Sequence, residues 1–191
     1  HPDSVTASHY PLDSHACRKR EPGKPHLEGF FSFRNRPYSV PYRVMVNRAC
    51  DNLLFPVPVS GTHVGFSTLR MEPCWMALGQ AAGTAAHLAI EESKTVADIP
   101  VDRLRAELLR DGAVLLYFED AEPGEAGYQG LQLAAVADTC LGQKWKAELD
   151  REVDEVLLRE VAGDWPALQA ELPDLRTRRD VCLALERHYL S

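Results

Sequence analysis

Between residues 59 and 90 the chain reads VSGTHVGFSTLRMEPCWMALGQAAGTAAHLAI. A glycine- and hydroxyl-rich approach (Ser60, Gly61, Thr62, His63) leads to an arginine, a proline and a long run of small apolar residues. Three kinds of chemistry could use such residues. Hydrolysis would pair His63 with Ser60 or Ser67, but no G-x-S-x-G elbow supports a nucleophilic serine. Phosphate cradling would need a loop ending in Gly-Lys-Ser/Thr or a G-x-G-x-x-G turn, and the sequence has neither. The third is an anion-attracting helix start. Pro73 suits a first helical turn, and the spacing predicts unpaired amides at Cys74, Trp75 and Met76, with Arg70 adding positive charge just before them. Many purely structural helices begin this way, so that alternative stays open.

The elements that must position these residues follow from patterning. A helix is expected over 73–90, closed by EESKT. Gly79 and Gly83 lie on one face at i, i+4, which suggests a face packed closely by another backbone. Aromatic and β-branched residues mark strands at 29–34 and 42–46, and NLLFPVPVS reads as a short apolar strand. Residues 100–111 pattern as an amphipathic helix with Leu104, Leu108 and Leu109 on one face. AVLLYF (113–118) reads as a buried strand, followed by an acidic loop and helices over about 128–140, 143–162 and 177–190. Residues 1–28 carry four of the seven histidines and four prolines and read as an irregular arm. Those histidines lack the i, i+4 spacing of a helical metal site, so no metal centre is expected.

Composition bounds the function. The 191 residues are 45% hydrophobic and 26% charged, ordinary for a globular chain. A net charge of −7 argues against a general nucleic-acid binder. No apolar run approaches the ~20 residues of a bilayer span. Five scattered cysteines without CxxC spacing read as free thiols rather than a zinc site or a disulfide framework. With no signal-peptide pattern at the start, they favour the cytoplasm.

The ordered features PYR at 41–43, NLL at 52–54, THV at 62–64 and S-x-x-R-x-x-P-x-x-MALGQAAGTAA from Ser67 through Ala86 resemble the C-terminal flavin-binding segment of a family of FAD-dependent oxidoreductases. These are bacterial flavoproteins loosely described as xanthan-lyase-like. The likeness covers about 37–90, and LRAELLRDGAVLLYF at 104–118 also fits. The resemblance implies an α/β fold, the C-terminal part of a two-domain FAD-binding oxidoreductase of glutathione-reductase type with additional C-terminal helices. It implies that the start of helix 73–90 points at the pyrimidine edge of the flavin, with Ser60, Gly61, Thr62, Arg70, Met71, Cys74, Trp75 and Met76 around the cofactor. His63, Tyr42 and Arg43 then become candidates to face the substrate or the flavin ring.

The Gly-rich βαβ unit that holds the ADP half in this family is missing from the sequence. The expectation is therefore an arm (1–28), an FAD- and substrate-binding segment (29–127) and a helical extension (128–191). Such a fragment would oxidise an unknown small organic substrate only with a dinucleotide-binding portion supplied in cis or in trans. The rival reading is a non-catalytic interaction module acting through helices 143–162 and 177–190. Neither reading involves nucleic acid or a membrane.

Overall fold

The computed structural model of the chain describes residues 1–16, 19–24, 30–137 and 145–191. Helices and small sheets are combined in it, as an α/β expectation requires. Strand β1 (Ser4–Ser8) pairs antiparallel with β4 (Tyr38–Pro41), and β2 (Leu12–Ser14) pairs antiparallel with β3 (Phe31–Phe33). The stretch expected to be irregular thus supplies two strands. The reason lies in SVTAS, whose Val5 is 1% exposed in the core. The expected strand at 42–46 is instead a 3-10 turn over Tyr42–Val44, and NLLFPVPVS keeps only one bridge, Val46 to Leu54. Pro56 and Pro58 have no N–H to extend that pairing.

Helix α1 (His63–Leu69) occupies what reads in sequence as a glycine-rich loop. Thr62 caps it: its Oγ1 accepts the Gly65 amide at 3.0 Å. Helix α2 (Glu72–Glu91) follows, with Pro73 in its first turn. It buries Cys74, Leu78, Ala81, Ala85, Leu88 and Ala89 against β1 and α3 (Val101–Arg110). On α3 the expected Leu104, Leu108 and Leu109 are all buried. The glycine face of α2 is the reverse of the expectation. A Cβ added at Gly79 or Gly83 would meet nothing within 4 Å, and Met76 and Ile90 on the outer side are 75% and 81% exposed.

AVLLYF does not become a strand. Its backbone is held by one side chain, Gln132, which is 0% exposed. Gln132 Oε1 accepts the amides of Leu115 and Leu116 at 2.8 and 2.7 Å, and its Nε2 donates to the Leu116 carbonyl at 2.8 Å. Gln132 lies on α4 (Tyr128–Val136), which packs on α6 (Arg178–Leu185) and α3. The α4–α6 contact is close enough that a Cβ at Gly130 would sit 1.9 Å from the Cys182 carbonyl oxygen.

The helix expected over 143–162 shrinks to α5 (Glu155–Asp164); positions 143 and 144 lie outside the described residues, as do 138–140 of the helix expected over 128–140. Asp120 takes the amides of Ala147 and Glu148 at 2.6 and 3.0 Å, the Val153 amide donates to Arg176, and Asp154 caps the shortened helix by accepting from the Leu157 amide. Tertiary partners outcompete helical hydrogen bonds there. Helix α6 ends in a π-helical turn, Glu186–Leu190, and buries Val181, Cys182, Ala184 and Leu185. One face of it is thus core.

These contacts order the glycines by consequence. Gly130→Ala should destabilise the chain by about 1–3 kcal/mol through overpacking. Gly79→Ala and Gly83→Ala should each stabilise it, by up to about 1 kcal/mol, through helix propensity. Denaturant midpoints check this order; a Gly83→Ala loss matching that of Gly130→Ala would contradict the open face.

Candidate functional site

The chain reaches the start of α2 through two tight junctions. In the first, the Ser60 amide donates to the Val44 carbonyl at 2.7 Å. This lays Ser60, Gly61, Thr62 and His63 beside the 3-10 turn that carries Tyr42 and Arg43. In the second, α1 packs on β2, and Arg70, the residue after α1, turns back to it.

Arg70 is the sequence candidate whose surroundings differ most from expectation. Its Nη2 donates to Asp13 Oδ2 at 2.7 Å, its Nε donates to the Ser67 carbonyl at 3.2 Å, and its guanidinium lies 5.6 Å from the Tyr10 ring centroid. The positive charge expected to face an anion is thus met by Asp13, and Arg70 ties β2 to α1. The amides differ as well. Because α2 begins at Glu72, the Trp75 amide already donates to the Met71 carbonyl at 3.2 Å. The Cys74 amide remains a first-turn donor without an intrahelical acceptor.

Tyr42 and Arg43 are anchored to the fold. Tyr42 is 4% exposed, and its hydroxyl donates to the Val96 carbonyl at 2.7 Å. Burial pushes its pKa up to about 12. Arg43 pairs with Asp3, whose Oδ2 also accepts the Arg43 amide at 3.1 Å. The pattern PYR therefore reads structurally as a turn pinned to the beginning of β1. His63 opens α1 and is exposed.

A polar cluster that the sequence did not disclose lies between the end of α1 and the start of α2. The Tyr38 hydroxyl donates to the Thr68 carbonyl at 3.1 Å and lies 2.7 Å from Thr68 Oγ1. Thr68 Oγ1 in turn donates to the Tyr10 carbonyl. Burial raises both the Tyr38 phenol and the nearby Cys74 thiol above their ordinary values, with Ser8 opposing the rise in each. Cys74 is thus a buried, protonated thiol rather than a nucleophile. The only sequence sign of the cluster is the hydroxyl pair Ser67 and Thr68, at a spacing that looks like ordinary helix surface.

One donor stands out in the first turn of α2. Trp75 Nε1 is buried, with no acceptor among the described residues; beside it Met76 is exposed. The cavities bounded by Arg105, by Tyr117 and by Tyr128 contain none of the expected cofactor residues. Among the described residues no group of three or more His, Cys, Asp or Glu could hold a metal ion, and no helix is long and apolar enough to cross a membrane.

Small sheets lead to a long helix, α2, whose first turn carries an unpaired donor. The family model for FAD dependent oxidoreductases matches residues 1–108, from before β1 into α3. With over half of its length matched, the chain belongs to the FAD-dependent oxidoreductase family. No curated protein and no solved structure matches it.

The buried Tyr42 hydroxyl gives a pH test of the site's frame. Its pKa is raised from 10.0 in the unfolded chain to about 12 in the fold. That stabilisation is complete below pH 10 and is lost as pH rises to 12, by roughly 2–3 kcal/mol for a shift of this size. Tyr42→Phe should lose about 1 kcal/mol at neutral pH, and its stability should fall less steeply than wild type between pH 10 and 12. Parallel denaturation curves across that window would remove Tyr42 from the frame.

Proposed function

We propose that this chain is the part of an FAD-dependent oxidoreductase that closes over the flavin ring, with the first turn of α2 at the pyrimidine edge. When bound, FAD supplies a two-electron acceptor for hydride from an organic substrate. The observation that carries the placement is Trp75 Nε1, a buried donor lacking an acceptor, in the first turn of a helix that lies within the family match. A pyrimidine edge presents carbonyl and ring-nitrogen acceptors, so donor and cofactor suit each other chemically. The Cys74 amide and the positive end of a 20-residue helix favour negative charge at that edge. Ser60, Gly61, Thr62, Met71 and Met76 border the ring in this reading, and His63 is the exposed group able to move a proton near it. Arg70, Arg43 and Tyr42 are positioning residues, holding α1 and the 3-10 turn where the ring would need them.

The described sheets are antiparallel and two-stranded, which is not the parallel βαβ scaffold that cradles a dinucleotide. In this reading the ADP half is held by a dinucleotide-binding portion, in cis or in trans, giving a two-domain enzyme of glutathione-reductase type. The open face of α2 around Met76, Gly83 and Ile90 is the surface it covers. A purely non-catalytic module is the weaker reading, because α6 buries one face in the core.

Titration of the chain with riboflavin and with FAD, followed by flavin fluorescence, tests the proposal. Both should bind weakly and with similar affinity, since only the ring is recognised. Trp75→Phe, which keeps an aromatic side chain but removes the N–H, should weaken both about tenfold, as losing a buried hydrogen bond of ~1.4 kcal/mol would. Tight FAD binding with no riboflavin binding would show that these residues grip the adenosine side instead.

A further inference from the structure

Helix α2 takes its place without a side-chain cap of its own. Among the described residues Met71, its N-cap, makes no such hydrogen bond, whereas Thr62 caps α1 and Asp154 caps α5. Only Arg70 and Met71 stand between Leu69, the last residue of α1, and Glu72, the first of α2. A shift at the end of α1 is therefore passed within a few residues to the first turn of α2 and to Trp75.

Residues 10–13 grip the end of α1 at two points. Thr68 Oγ1 donates to the Tyr10 carbonyl, and Arg70 Nη2 donates to Asp13 Oδ2 at 2.7 Å. The same carboxylate oxygen has two further neighbours, His15 Nε2 at 3.2 Å and the Tyr10 hydroxyl at 3.4 Å. Exposure decides between the two cations. The His15 side chain is 64% exposed, so water screens its pairing, while those of Asp13 and Arg70 are 18% and 34% exposed. The strong, charge-assisted bond of Asp13 is thus the one to the guanidinium. Arg70 is held from its own side as well, since its Nε donates to the Ser67 carbonyl at 3.2 Å.

We infer that Asp13 is a positioning residue for the flavin: through Arg70 it fixes where the first turn of α2, and with it Trp75 Nε1, meets the ring. The inference rests on the flavin placement at α2 and adds to it a residue on β2, outside both helices. A contact of fixed geometry is only as good as the groups that hold it in place. Losing the Asp13 carboxylate therefore lowers flavin affinity although the change is on another element.

Riboflavin titration of the 191-residue chain, followed by flavin fluorescence, tests it. Asp13→Ala and Arg70→Gln should each weaken riboflavin about tenfold. The double variant should be no weaker than either, because the two residues act as one unit. Asp13→Glu, which keeps the charge, should recover most of the affinity. Arg179→Gln removes a comparable pair on α6, with Asp150 at 2.8 Å, and should leave riboflavin binding unchanged; this separates positioning from a general loss of stability. If Asp13→Ala does not fold, the Arg70→Gln and Asp13→Glu arms decide alone. Riboflavin binding that Trp75→Phe weakens but Asp13→Ala and Arg70→Gln do not would overturn the inference and leave the flavin placement standing. An equal loss in Arg179→Gln would also overturn it, and absence of riboflavin binding to the unsubstituted chain would bring down both.

Discussion

The structure depends on how a helix with no charge between its two terminal glutamates is divided between core and water. From Pro73 to Ile90 the sequence carries no Asp, Glu, Lys or Arg, so α2 has no charged face to solvate. One side is buried with Leu78, Ala81 and Ala85 at 0% exposure, and β1 and α3 are arranged around it. The other side keeps two glycines open to solvent between two exposed large apolar residues. Burying one stripe fixes the fold. The two junctions at the N-terminal end, Arg70 with Asp13 and Tyr38 with Thr68, then set where the first turn lies.

The second constraint is the amide of Gln132. An extended segment running between α3 and α4 has no neighbouring strand to satisfy Leu115 and Leu116. A single buried side chain takes both amides and returns one donor. The same segment touches β1, where the Ala7 amide donates to the Val114 carbonyl at 3.3 Å. The helical part beyond residue 128 is thereby joined to the family-matched part through one continuous core.

Much of this was legible in the sequence, and the misses have physical causes. Helices α2 and α3 announce themselves through proline placement and leucine spacing, and local patterning is enough for both. Helix α1 is hidden because its apolar period is short and its glycines read as loop, while its real signal is the Thr62 cap. AVLLYF looks like a strand because a strand and a segment clamped by glutamine bury the same side chains. The helix expected to begin at 143 is cut short by Asp120, a competitor some 30 residues away that no local pattern reports. Around α2, residue types gave no sign of Arg70's commitment, since its partner Asp13 lies in a stretch that composition alone renders featureless. The Gly79 and Gly83 face was likewise legible as a feature, though not as an open one.

The central claim, that the first turn of α2 meets the flavin ring, is most directly tested by fluorine NMR of the chain labelled with 5-fluorotryptophan during titration with riboflavin. The three tryptophans sit in distinct places: Trp75 in α2, Trp145 beside Arg36 and Pro37, and Trp165 at the end of α5. The account predicts that the Trp75 resonance shifts with added flavin while those of Trp145 and Trp165 stay in place. A shift confined to Trp145 or Trp165, or a Trp75 resonance unmoved at saturating flavin, would contradict it.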